Sequence, residues 1–174
     1  MKKIVFFIGF MGTGKTTLGK KLAKELDFNF IDLDSKIEGK YGISIDEFFQ
    51  QHGEDEFRKV ESFILKEIIL EEDYCVISVG GGTPCFNKNM ELMNQYGTTI
   101  YLQRPNKELF NRLKNSKKTR PLIKEFRDSD VELKNYIETT IKEREPFYNM
   151  AQIILDRNHQ EVKIIKQILN EPTI

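Results

Sequence analysis

GFMGTGKT, residues 9–16, meets the spacing GxxxxGK[ST] in full. On its N-terminal side lies KIVFFI (3–8), a short β-branched and aromatic run that reads as a buried strand. On its C-terminal side KTTLGKKLAKEL (15–26) sets Leu18, Leu22 and Leu26 at helical spacing with lysines between them. A strand, a glycine turn and a helix in that order are the context that gives the motif its meaning. Glycines let the backbone curl so that the N–H groups from Gly12, Thr13 and Gly14 through Lys15, Thr16 and Thr17 face phosphate oxygens. The helix N-terminus adds partial positive charge. Lys15 is then placed for the β- and γ-phosphates, and the Thr16 hydroxyl for Mg²⁺. Such a loop specifies a nucleoside triphosphate and leaves the acceptor open. No DxxG or NKxD switch motif accompanies it, and 174 residues are too few for a large ATPase motor.

The rest of the chain extends the same alternation. FNFIDLD (28–34), YCVISVG (74–80), TTIYLQ (98–103) and AQIILD (151–156) read as further strands. Helices are expected at 54–72, 87–96, 106–114, 129–148 and about 160–170. Ser44–Glu47 (SIDE) and Ser129–Glu132 (SDVE) form capping boxes. Five apolar strands alternating with helices signal a parallel sheet covered on both faces, within one domain spanning 1–174. Only 115–128 (NSKKTRPLIKEFRD) is long, charged and irregular enough to serve as a mobile lid.

Composition narrows the function further. Lys+Arg and Asp+Glu are both 27, which gives no support for a nucleic-acid or membrane-surface binder. MKKIVFFIGFMG resembles a signal peptide, but glycines interrupt it and it runs straight into GKTT, so it is read as a strand. Cys75 and Cys85 lack any metal-ligand spacing and are expected to be reduced thiols of a cytoplasmic protein. Only seven of the 27 cations are arginine, so each arginine is worth testing as a bidentate anion ligand.

Asp32 and Asp34, two apart at the end of the second strand, are read as pointing to one face. One could order magnesium waters and the other accept a proton; equally, Asp34 could cap the helix that follows. Gly80, Gly81 and Gly82 end the third strand, and ligands of open parallel sheets bind beyond such carboxyl ends. Arg58, Arg120 and Arg144 each have a plain alternative as surface charges, Arg58 paired with Glu61 and Arg144 with Glu143 or Glu145.

Taken together, GFMGTGKT, DLD (32–34), GEDEFR (53–58), VGGGT (79–83), RPL (120–122) and REPFY (144–148) resemble the shikimate kinase family. The resemblance runs from residue 4 to about 170. It implies ATP-dependent phosphorylation of the shikimate 3-hydroxyl and a nucleoside-monophosphate-kinase-like fold with strand order 2-3-1-4-5. It implies that Asp34 contacts the reacting hydroxyl, that Arg58 and Arg144 clamp the shikimate carboxylate, and that Gly80 to Gly82 offer backbone to the acceptor. Asp32 would orient magnesium water, Lys15 and Arg120 would meet the phosphates, and Arg112 would stack on adenine. Gln160 would fall on the ATP side, and the enzyme is expected to be a monomer. A gluconate-type kinase and a nucleotide-binding regulator without turnover are the alternatives.

Overall fold

The computed structural model describes residues 3–116, 123, 126 and 129–170. In chain order the elements are β1 (Lys3–Ile8), α1 (Lys15–Leu26), β2 (Asn29–Asp32), α2 (Leu33–Tyr41), α3 (Ile45–Glu71) and β3 (Tyr74–Ser78). A 3-10 turn (Thr83–Cys85) leads to α4 (Asn89–Tyr96), β4 (Thr98–Leu102), α5 (Asn106–Lys114) and α6 (Asp130–Tyr148). The chain then forms β5 (Ile153–Leu155), a second 3-10 turn (Arg157–His159) and α7 (Val162–Asn170). The five strands form one sheet in the order β2-β3-β1-β4-β5, with every pairing parallel.

The two faces of β1 explain why its sequence is apolar without alternation. Ile4, Phe6 and Ile8 join one core cluster with residues of α2, α3 and α4, while Val5 and Phe7 join another with Leu22 and Ala23 of α1 and Ile165 of α7. A third cluster packs Phe10, just after β1, against Leu109 and Leu113 of α5 and Leu133 and Ile137 of α6. The phosphate loop is therefore anchored on a strand buried on both sides. Because all strands are parallel, the ends of β1, β2 and β3 open at the same edge of the sheet.

Two local readings of the sequence change. The second strand stops at Asp32, whose side chain accepts a hydrogen bond from Ser35 N and caps α2. Asp34 thus belongs to the first turn of a helix and does not share a strand face with Asp32. Starting the helix there sends Leu33 fully into the core. The helix expected at 54–72 begins earlier, at Ile45 behind the Ser44/Glu47 capping box, and bends at Gly53, where φ is 79°. The bend lets Phe48 and Phe49 pack on Phe57, at ring-centroid distances of 5.9 and 4.7 Å. Cys75 and Cys85 are both free thiols. Among the described residues no helix is long and apolar enough to cross a membrane.

Candidate active site

The loop between β1 and α1 is built for an anion. Gly12 and Gly14 adopt left-handed backbone (φ 84° and 102°), and Gly14 is the N-cap of α1. The first turn of α1 carries no acidic residue and no side-chain cap, so its N–H groups and dipole are directed at whatever the loop holds. Lys15 is buried and donates from Nζ to Gly9 O (2.7 Å) and Phe10 O (3.0 Å), which keeps the ammonium at the loop. Two arginines brace the same loop from α5 and the end of β4. Arg112 donates to Gly12 O (3.1 Å), and Arg104 Nε donates to Thr13 O (2.7 Å). Both pair with Glu108. Arg112 and Gln160 line a cavity of about 190 Å³ with Thr13, Gly14, Thr17 and Arg104. Gln160 donates to Gln103 O and Leu155 O, which ties it to the ends of β4 and β5.

Beside Lys15 lies a cluster of hard oxygen donors. Thr16 Oγ1 donates to Asp32 Oδ2 (2.8 Å) and sits 3.4 Å from Ser78 Oγ. The three residues come from the first turn of α1 and from the ends of β2 and β3. One carboxylate with two hydroxyls fits Mg²⁺, which in kinases takes few protein ligands and completes its shell with water and phosphate oxygens.

The second glycine tract is where the acceptor residues meet. None of its glycines has positive φ, so backbone strain does not require them; lack of space does. A Cβ at Gly80 would lie 3.0 Å from Asp34 Oδ1 and 3.1 Å from Glu61 Oε1. At Gly81 it would lie 3.2 Å from Arg144 Nη1 and 3.5 Å from Gly9 O. At Gly82 it would lie 2.6 Å from Arg58 Nη2. Bare backbone thus lets Asp34, Arg58 and Arg144 converge and sets the two glycine tracts against each other. Asp34 is pushed up to about 6, first by burial and then by Asp32 and Glu61, with Lys15 pulling the other way.

Arg58 does pair with Glu61, as helical spacing allows, but not on the surface: the two are 7% and 1% exposed. Its Nη1 donates to Glu61 Oε2 (2.9 Å), while Nε and Nη2 donate to Glu54 Oε1 (3.1 and 2.9 Å). Of five N–H groups this leaves one on each terminal nitrogen, which is what a third carboxylate needs. Thr83 donates to the other oxygen of Glu61 (2.6 Å). Arg144 is different. Neither Glu143 nor Glu145 forms an ion pair with it; its partner is Tyr148 one turn on, whose hydroxyl donates to Gly81 O (2.6 Å). Burial pushes the Cys85 thiol up to about 11 despite the nearby Arg144 and Arg58, so it stays protonated at neutral pH.

A family model described as shikimate kinase matches residues 11–172. The chain belongs to the shikimate kinase family. A shikimate kinase of Azobacteroides pseudotrichonymphae is 49% identical over 150 residues, covering 86% of this chain and 87% of that protein. The crystal structure of shikimate kinase from Bacteroides thetaiotaomicron superposes with a TM-score of 0.90 at 38% identity, covering 97% of this chain and 99% of that one. Shikimate kinase from Acinetobacter baumannii, solved in complex with shikimate, gives a TM-score of 0.84 at 30% identity, with 97% and 94% covered.

Within this shikimate kinase fold, nearly every residue expected from sequence comes to one of two adjoining places. Gly12 to Thr17, Arg112 and Gln160 gather at the first glycine tract, and Asp34, Arg58, Arg144 and Gly80 to Gly82 at the second. Arg120 and most of the lid expected at 115–128 lie outside the described residues. Four contributors were given no role of their own in the sequence: Arg104, Ser78, Thr83 and Tyr148. Arg104 stands out only in being an arginine among many lysines, and Tyr148 in following Arg144 by one helical turn.

Proposed function

We propose that the chain transfers the γ-phosphoryl group of ATP to the 3-hydroxyl of shikimate, giving shikimate 3-phosphate and ADP in the route to chorismate and the aromatic amino acids. The observation that carries this reading is the contact between the two glycine tracts, with Asp34, Arg58 and Arg144 gathered on the second. Donor and acceptor would be held side by side in a site rich in charge, suited to a small hydroxylated anion. Asp34 takes the hydroxyl proton as the oxygen attacks phosphorus and the bond to the β-phosphate oxygen breaks. Lys15 balances charge on the transferring group, and Arg58 and Arg144 fix the acceptor through its carboxylate. Mg²⁺, held by Thr16, Asp32 and Ser78 with the phosphates, would neutralise further charge on the nucleotide. The reading is of one domain acting as a cytoplasmic monomer that engages neither nucleic acid nor membrane.

Coupled ADP release separates this from its rivals. Shikimate should drive ADP formation, while gluconate and water should leave it near background. Turnover with gluconate alone would reassign the acceptor, and no turnover with any of them would favour a nucleotide-binding regulator. Lys15→Ala should lower turnover with shikimate by about 10²- to 10³-fold, the typical loss of one preorganised electrostatic donor. Its thermal midpoint should stay near that of the parent protein, and turnover within about tenfold of the parent would remove Lys15 from the transfer step.

A further inference from the structure

Phe86 remains 37% exposed on the segment between the glycine tract and α4. Arg58 Cζ lies 4.4 Å from its ring centroid, closer than to Phe57 (5.3 Å) or Phe49 (5.9 Å). The backbone carrying this ring is strained. Asn87 and Lys88, directly after it, both adopt left-handed conformation, with φ of 50° and 58°. Non-glycine residues seldom do so, and such conformations persist only where the surroundings enforce them. Here the enforcement is visible. Asn87 Nδ2 donates to the backbone oxygen of Arg58 (2.9 Å) and to Ser62 Oγ (3.0 Å), and Ser62 Oγ donates to the same Arg58 oxygen. The side chain of Asn87 thus pins its own loop to the turn of α3 that bears Arg58, with Phe86 next to the pin.

The two carboxylates on Arg58 hold the guanidinium only by its edges. Hydrogen bonds along the edges leave the plane free to tip. What limits tipping is matter against the faces: the Phe86 ring nearest of three, with Phe57 and Phe49 farther off, and the backbone at Gly82, where even a Cβ would come within 3.0 Å of Cζ. A planar fork recognises a carboxylate only when its plane is aimed, so the stacked ring bears on affinity for the acceptor.

We propose that Phe86 is a positioning residue for acceptor recognition, stacked on Arg58 to aim its two remaining N–H groups at the substrate carboxylate, and that the left-handed Asn87–Lys88 pair holds the ring there. This rests on Arg58 being a ligand of the acceptor, as read above. The ring adds nothing at the nucleotide, whose loop Arg58 does not touch.

The test compares wild type, Phe86→Leu and Phe86→Tyr in shikimate-dependent ADP release, with thermal midpoints recorded. In parallel, the rate at which phenylglyoxal modifies Arg58 is followed by mass spectrometry. Phe86→Leu should raise KM for shikimate about 3- to 30-fold, the range that a cation–π contact supports. The kcat, the KM for ATP and the thermal midpoint should stay near wild type. Phe86→Tyr, which keeps the ring, should restore KM, and Arg58 should be modified several-fold faster in Phe86→Leu. An unchanged KM for shikimate in Phe86→Leu overturns the proposal. So does a rise in both KM values together with a lower thermal midpoint, which would mark Phe86 as a packing residue. If wild type itself fails to phosphorylate shikimate, the functional reading falls instead. The labelling rate then decides the positioning: faster modification in Phe86→Leu supports it, and an equal rate overturns it.

Discussion

Asp34→Asn is expected to lose shikimate phosphorylation by about 10²- to 10⁴-fold, the usual weight of a positioned acid or base, and yet to be the more stable protein at pH 7.5. Both effects come from the same environment. Asp34 is partly covered and faces Asp32 and Glu61, with Lys15 offsetting them in part, so its carboxyl is raised from the ordinary 3.8 to about 6. Near neutral pH the folded chain must therefore hold a charge that its surroundings resist. In the unfolded chain the same group ionises near its ordinary value. Between about pH 4 and pH 6 the native state binds more proton than the unfolded state, so the contribution of Asp34 to stability is fully present below the unfolded value and is lost as pH rises through the folded one. Asparagine keeps the shape and carries no charge at any pH. The stability difference should thus favour Asp34→Asn by roughly 2–4 kcal/mol at pH 7.5 and shrink by about half or more at pH 5. Urea denaturation of both proteins at the two pH values measures it without ligands. An advantage that does not change with pH would show that Asp34 ionises normally, and unimpaired turnover would remove it as the proton acceptor.

The pairing of activity with instability at Asp34 also shows what local sequence can carry. The phosphate loop was legible because strand, loop and helix are contiguous and each is specified by its own residues. FNFIDLD misled because alternation and acidity suit a strand and a helix cap alike. The choice fell to Asp32 as cap, which sends Leu33 into a core assembled from distant elements. The sheet order came from family resemblance, since no local pattern encodes which strands become neighbours. The same limit hid Ser78, Arg104 and Tyr148. Their partners Thr16, Thr13 and Gly81 lie 62, 91 and 67 positions away. Helical spacing announced the Arg58–Glu61 pair, but spacing says which side chains touch and not whether anything covers them. The glycine tract was legible as bare backbone. That the space belongs to Asp34, Glu61, Arg58 and Arg144 became visible only when those four were in place.

The difference between the two arginines gives the second large effect, which splits in a way a simple pair of surface charges would not. Among the described residues Arg144 has no carboxylate partner, and it meets the tract at Gly81, so it brings positive charge to the acceptor. Arg144→Met should lower kcat/KM for shikimate by about 2–5 kcal/mol, the cost of removing one partner from a desolvated charge pair. The contact it gives up within the described fold is the one with Tyr148, so stability should fall by no more than about 1.5 kcal/mol. Arg58 already answers Glu54 and Glu61, and what it adds is geometry: a fork whose last two N–H groups are aimed by its other contacts. Arg58→Lys preserves the charge and removes the fork. It should cost about as much in kcat/KM for shikimate. It should also cost stability, about 1–3 kcal/mol, because Glu61 is buried and loses a charged hydrogen bond that an ammonium on a flexible stem replaces poorly. Nucleotide binding, measured without acceptor, should be nearly unaffected in both variants. An acceptor analogue with its carboxylate reduced to an alcohol should be a poor substrate of the parent protein and should lose much less than shikimate when Arg144 is changed, since there is no anion left to hold. If Arg144→Met and Arg58→Lys both phosphorylate shikimate at the parent's kcat/KM, neither arginine binds the acceptor. Its recognition would then rest on Asp34 and the backbone of Gly80 to Gly82.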